Sequence, residues 1–156
     1  MNVTLGVPRI KEIINAIKDI STPIIKAFLV DDKNVDSARI IKGRIEKTEL
    51  GDIAEYIKEV YTPTGCYLSI KIHLLAIQAL HLEISIEQIA QSILKTPRLM
   101  IKERHIQIKS VNKLTISPPD ESRDKLYFEM QKLKNKLPHV IIKGIPSINR
   151  AVISKD

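Results

Sequence analysis

The chain has one cysteine, Cys66, among its 156 residues. A lone thiol excludes an internal disulfide and any zinc cage made of several cysteines. There is no tryptophan and there are only two phenylalanines. A platform for single-stranded nucleic acid stacks bases on aromatic rings, so that class of binder lacks its material here. Glycine is also scarce, with five residues. Gly51, Gly65 and Gly144 stand apart as turns or caps, and no glycine-rich phosphate loop is present. No apolar run approaches the roughly 20 residues that span a bilayer. The N-terminus has neither the charged nor the apolar region of a secretory signal. Together these absences predict a soluble intracellular protein.

What is present is an aliphatic, isoleucine-rich chain with 44% hydrophobic residues, ample for a packed core. Its length suits one domain, or two small lobes sharing a core. The net charge is +7. A basic surface concentrates anionic partners around itself. Nucleic acid leads that class, ribosomal or membrane-surface contact also fits, and a merely solvated lysine-rich surface fits as well.

Residues 7–18 have the pattern of an amphipathic helix. Gly6 permits the turn, and Pro8 suits the first helical position, where its missing N–H costs nothing. Ile10, Ile13, Ile14 and Ile17 follow at helical spacing. Thr22-Pro23 stops this helix, and residues 24–30 read as a strand before a polar turn at 31–34. A helix is predicted over 35–48, capped by Asn34 or Asp36, with Ala38, Ile41 and Ile45 inward and a rim of Arg39, Lys42, Arg44 and Lys47. Leu50-Gly51 ends it. Residues 52–62 and 66–72 alternate as strands around the Pro63-Thr64-Gly65 turn, although 54–60 also tolerates a helix. Residues 73–82 read as a buried helix. Ser85 and Gln88 form a capping box for a helix over 85–95. The 99–117 stretch predicts two or three strands. Residues 121–136 predict a helix with Leu126, Met130, Leu133 and Leu137 at the core. Two β-rich runs, 139–145 and 150–154, close the chain. Helices and antiparallel strands intermix, so the fold class is α+β.

Candidates for chemistry are thin. Cys66 and Ser85 have no Gly-x-Ser-x-Gly elbow and no local base. Cys66 reads as a strand-start packing residue and Ser85 as a cap. His73, His81, His105 and His139 lack metal-ligand spacing. Asp31-Asp32 is the closest approach to a carboxylate pair for metal-assisted phosphoryl transfer, and a solvated turn explains it better. Tyr127-Phe128 reads as core. No catalytic and no metal-binding residue is therefore named. A basic rim of Arg9, Lys11, Lys18, Arg39, Lys42, Arg44 and Lys47 can neutralise phosphates without reading bases.

The first segment, Val3-Thr4-Leu5-Gly6-Val7-Pro8-Arg9-Ile10-Lys11-Glu12-Ile13-Ile14-Asn15-Ala16, resembles the stretch just after the trigger loop in the largest subunit of multisubunit RNA polymerases. Thr22-Pro23 and the following run fit as well. Residues 43–51 and 55–60, then Leu137-Pro138, 140–146 and 150–153, look most like the polymerase III version. The middle, roughly 66–136, is less distinctive and resembles a short jaw region.

The resemblance implies a nucleotidyltransferase subunit of the nucleus. It implies a cleft-like lobe of residues 1–60 and 137–156 and a jaw-like lobe of residues 61–136, gripping downstream duplex DNA. The family's metal-binding aspartate loop, bridge helix and trigger loop would all lie upstream of residue 1. The chain would then be a piece of a larger enzyme, without cofactor of its own, the magnesium belonging to the intact polymerase. Thr4, Gly6, Pro8, Arg9 and Glu12 would anchor the trigger loop. Lys11, Lys18, Lys42 and Arg44 would face nucleic acid. Implied partners are the rest of the largest subunit, the second-largest subunit and a small zinc-ribbon subunit on jaw strands within 99–117. Faces built to meet other subunits would leave apolar patches that drive a non-native homo-oligomer. The alternative is a stand-alone basic nucleic-acid-binding or subunit-interaction module.

Overall fold

The computed structural model describes residues 10, 11, 13, 14, 23–120 and 122–155. By internal contacts the chain divides into two units, Met1–Asp32 and Lys33–Asp156. In the first, Ile10, Lys11, Ile13 and Ile14 are helical, as the isoleucine spacing predicts. The expected strand at residues 24–30 does not form. The segment has no regular structure, and Ile25, Phe28 and Val30 are exposed. β-Branched residues suit a sheet, but a strand needs a neighbour for its N–H and C=O groups. No described strand pairs with this segment.

The second unit opens with helix α1, Val35–Ile45. Asn34 caps it, its side chain accepting from the Asp36 N–H at 2.9 Å. Asp36 in the first turn and Lys42 and Arg44 in the last oppose the helix dipole. The helix stops three residues short of the predicted 48, because Glu46 is extended and Thr48–Glu49 form strand β1. Ala38 and Gly43 are buried, while Ile41 and Ile45 are only half-buried. Leu50-Gly51 starts a helix instead of ending one. The single turn α2, Leu50–Ile53, begins where the Asp52 carboxylate accepts the Glu49 N–H at 2.9 Å. Its ends, Leu50 and Ile53, have no exposed surface.

Strands β2 (Ala54–Thr62), β3 (Gly65–Ile72), β4 (Ile106–Ser110) and β5 (Lys113–Ile116) form one antiparallel sheet in the order β2-β3-β5-β4. Thr62 faces Gly65 across the Pro63-Thr64 turn, and its hydroxyl donates to the Gly65 carbonyl at 2.8 Å. Leu68, Ile70 and Ile72 of β3 and Leu114 and Ile116 of β5 anchor the core. The expected strand material before β4 is instead two 3-10 turns, Pro97–Leu99 and Glu103–His105.

Helix α3, Leu74–Ala79, is shorter than the expected buried helix, and only Ile77 is buried. His73 caps it, Nδ1 accepting the Ala76 N–H at 3.0 Å. Just beyond it His81 turns to the left-handed region at φ 53°. Six residues give one apolar position facing inward and leave Leu75 in solvent. Helix α4, Ile86–Leu94, has the predicted box: Gln88 Oε1 accepts the Ser85 N–H at 2.9 Å and Ser85 Oγ accepts the Gln88 N–H at 3.4 Å. Ile86, Ile89, Ala90 and Ile93 are buried. In helix α5, Leu126–Lys136, Met130 and Leu133 are buried, as is Leu137 just past its end. Tyr127 and Phe128 are 69% and 67% exposed, against the expectation of core. At 100° per residue Tyr127 falls about 90° from the 126/130/133/137 stripe and Phe128 falls opposite it.

Strand β6, Ile141–Lys143, pairs antiparallel with β1, while residues 150–154 stay irregular. The chain end is laced to the α1–α2 connection by Leu50 N–H to Val140 O at 2.8 Å, Ile145 N–H to Ile45 O at 2.9 Å and Lys47 N–H to Ile148 O at 3.0 Å. Gly144, at φ 93°, makes that crossing possible. A Cβ there would run into the Glu46 carbonyl and lie 2.8 Å from Lys47 Cα.

Gly144→Ala should therefore destabilise the chain by about 2–5 kcal/mol, combining backbone strain with overpacking. Gly65→Ala, where a Cβ meets nothing within 4 Å, should stay within about 0.5 kcal/mol. Denaturant unfolding of the two variants measures both, and equal losses would contradict the close approach at Gly144.

Candidate nucleic-acid interface

The cationic residues named from the sequence fall in different places. Lys11 is helical and exposed in the first unit. Thr4, Gly6, Pro8, Arg9, Glu12 and Lys18 lie outside the described residues. Lys42 and Arg44 sit two positions apart on α1, so they project about 200° apart. Lys42 reaches Glu46 at 3.8 Å, and Arg44 reaches Glu83 at 3.3 Å. The rest of the rim is paired too: Arg39 with Asp36 at 3.7 Å and Lys47 with Glu49 at 3.4 Å. A helix that reads as a basic face is thus closer to neutral. Such exposed pairs are worth about 0–1 kcal/mol each, so a phosphate can compete with the carboxylate.

One cavity of about 490 Å³ adjoins this helix, lined among others by Lys42, Glu46, Lys47, Asp52, Asn149 and Arg150. Three cations face two carboxylates there. Glu46 is held by two groups, since Oε2 also accepts the Ala151 N–H at 3.0 Å. Asp52 is engaged by the Glu49 N–H. Arg150 has no ion-pair partner among the described residues. The structure therefore brings Lys42 together with Arg150, and it keeps Arg44 on another side. Sequence reasoning missed Arg150 because 108 positions separate it from Lys42 and its own segment reads as a strand; only the Gly144-Ile145-Pro146 turn hints that the chain folds back.

A second cluster ties the edge strand β2 to α5. Glu59 accepts from the Tyr61 hydroxyl at 2.7 Å and from the Gln131 amide at 2.7 Å, and lies 3.2 Å from Lys134 Nζ. The Tyr61 hydrogen bond, followed by Lys134 and Gln131, holds the Glu59 carboxyl below its ordinary range. The same bond, with burial, pushes the Tyr61 phenol up to about 12. The cluster does not stand out in the sequence, because 72 positions separate Glu59 from Gln131.

The histidines have structural work. His73 caps α3, buried His105 accepts the Lys102 N–H at 3.0 Å through Nδ1, and His139 lies 3.2 Å from Glu49. Cys66 is buried at the start of β3. Among the described residues no three His, Cys, Asp or Glu side chains are grouped to hold a metal ion. No described helix is long and apolar enough to cross a membrane. The arrangement is an open, charge-lined surface on an α+β scaffold.

No family model matches the chain. Its full length does match individual proteins. It is 56% identical over 155 residues to a Dictyostelium discoideum protein, covering 99% of this chain and 11% of that one. It is 47% identical over 156 residues to a human protein, covering 100% and 11%, and 43% identical over 168 residues to a Saccharomyces cerevisiae protein, covering 99% and 12%. All three are named DNA-directed RNA polymerase III subunit RPC1. The chain belongs to the family of RNA polymerase largest subunits, and within it to the polymerase III branch. It spans about a ninth of the length of these relatives.

The Glu59–Tyr61 pair sets a pH dependence at each end of the scale. A raised phenol pKa gives stability that is present below the ordinary tyrosine value of about 10 and lost as pH rises through about 12. A depressed carboxyl gives stability present above the ordinary glutamate range and lost as pH falls through its lowered folded value. In Glu59→Ala, Tyr61 should titrate close to 10. Ultraviolet phenolate absorbance, with Tyr61→Phe to assign the signal, measures it; titration still near 12 would place the cause elsewhere.

Proposed function

We propose that this chain forms part of the polymerase III surface that holds downstream duplex DNA, and that residues 3–12 anchor the trigger loop. The observation that carries the reading is the match to polymerase III subunits along the full chain, at 43–56% identity in the three relatives above. The net charge of +7 supports contact with a polyanion. In this reading the whole enzyme is a nuclear nucleotidyltransferase. Residues 1–60 with 137–156 make the cleft lobe and 61–136 the jaw lobe. The magnesium belongs, in this reading, to other parts of the intact enzyme, and this chain's contribution is grip and support.

Lys11, Lys18, Lys42 and Arg44 are the phosphate contacts of this proposal, and Arg150 joins Lys42 at the cavity. Lys42 and Arg44 must exchange a carboxylate for a phosphate, which keeps the grip weak and salt-sensitive, as suits a duplex that moves. Glu12 lies within the proposed trigger-loop anchor, together with Thr4, Gly6, Pro8 and Arg9. A mobile catalytic loop must reopen each cycle, and a charge at its base biases that step. The second-largest subunit and a small zinc-ribbon subunit are the proposed protein neighbours. Among the described strands β4 pairs with β5 alone, which supports the reading that strand pairing meets the small subunit there.

In the assembled polymerase, Lys42→Glu with Arg150→Glu should shorten elongation-complex half-life several-fold, and more steeply as salt rises. An unchanged half-life across a salt series would count against the DNA-grip reading. Glu12→Gly should alter elongation rate, and unchanged rate and fidelity would remove the anchor role of Glu12.

A further inference from the structure

A different face of the second unit groups three cations that no described carboxylate pairs. Arg98 on the Pro97–Leu99 turn, and Lys132 and Lys136 on α5, border one shallow groove with Met100, Pro119 and Glu129. None of the three cations has a carboxylate within ion-pair distance among the described residues. By contrast Arg39, Lys42, Arg44, Lys47, Lys71 and Lys134 each have one within 4 Å. Three like charges around one groove, opposed by a single glutamate, repel one another and favour an anionic occupant.

The groove also has apolar ground that a phosphate would not use. Met100 is 74% exposed, at φ 55°, between Leu99 and Ile101, which are both buried. Its N–H donates to Pro97 O at 3.2 Å, so the turn fixes its place. Phe128, exposed on α5, stands one turn before Lys132 on the same helical stripe. Methionine adapts to irregular apolar partners, and methionine, aromatics and arginine are enriched in protein interfaces. The cavity itself is only about 30 Å³. Small-molecule sites run to about 300–1,000 Å³, so the occupant lies across this face and not within it.

We infer that the face of Arg98, Met100, Phe128, Lys132 and Lys136 docks an acidic peptide segment of a neighbouring polymerase subunit. Its Asp and Glu side chains pair with the three cations, and an apolar side chain sits against Met100 and Phe128. A duplex backbone would satisfy the cations and leave Met100 and Phe128 without a role. This site is distinct from the Lys42–Arg150 cavity and does not depend on the DNA-grip reading.

The test uses the assembled polymerase with Asn135→p-benzoylphenylalanine. Asn135 is exposed on α5 beside Lys132 but is not one of the docking residues. Irradiation should join it to a polypeptide rich in Asp and Glu with an adjacent apolar residue. Added salt should lower the yield, and Arg98→Gln with Lys132→Gln and Lys136→Gln should lower it about tenfold. Lys134→Gln, which removes a cation already paired with Glu59, should leave it unchanged. If the triple variant does not assemble, the salt series on the otherwise native subunit tests the same charge pairing. Adducts to DNA, adducts to a neutral or basic segment, a salt-independent yield, or no adduct would each overturn the assignment.

Discussion

The second unit depends on the crossing of its two ends at Gly144. The chain leaves α1 at Ile45, and a hundred residues later it returns over the same three positions. Backbone bonds at Lys47, Leu50 and Ile145 bind the two passes, and they fit only because residue 144 has no side chain and takes a left-handed φ. Everything between residues 50 and 140 is thereby closed into a loop around one core. Loop-closure entropy grows only slowly with length, so a long excursion costs little once the crossing forms. The crossing also delivers Arg150 to Lys42 and builds the cavity beside α1.

Charge follows from this closure in a way that composition does not show. A net charge of +7 is a sum over the chain. The fold pairs most of the α1 cations with nearby carboxylates: Glu46 and Asp36 on or beside the helix itself, Glu49 on β1, and Glu83 from the loop after α3. Cations without a carboxylate partner among the described residues stand elsewhere, Arg150 and those bordering the Pro97–Leu99 turn among them. Under the two proposals, the paired cations of α1 suit a weak and exchangeable hold on a moving polyanion, and the unpaired cations beside α5 suit a fixed acidic partner.

The α+β class, the β2–β3 hairpin, the Ser85–Gln88 cap and the Leu126-to-Leu137 stripe are all legible in the sequence. Each rests on spacing or on chemistry between residues a few positions apart. The misreadings share another cause. The 24–30 run has strand composition, but pairing depends on a distant neighbour that composition does not encode. Residues 73–82 are apolar enough for burial, yet six helical residues present only Ile77 inward. Tyr127 and Phe128 suit a core by their type, but their offset from the α5 stripe points outward. The clusters at Glu59 and Arg150 join residues far apart in the chain, and local patterns do not reach that distance. The loop-anchor residues at 4–12 rest on family resemblance alone.

The closure at Gly144 is tested most directly by native-state hydrogen exchange on the chain, residue by residue. If the crossing holds the unit closed, the amides of Lys47, Leu50 and Ile145 are protected and open in the same cooperative event as those of Leu68 and Ile70 on β3. Exchange at those three amides near the free-peptide rate, while β3 stays protected, would show that the ends do not hold the unit closed.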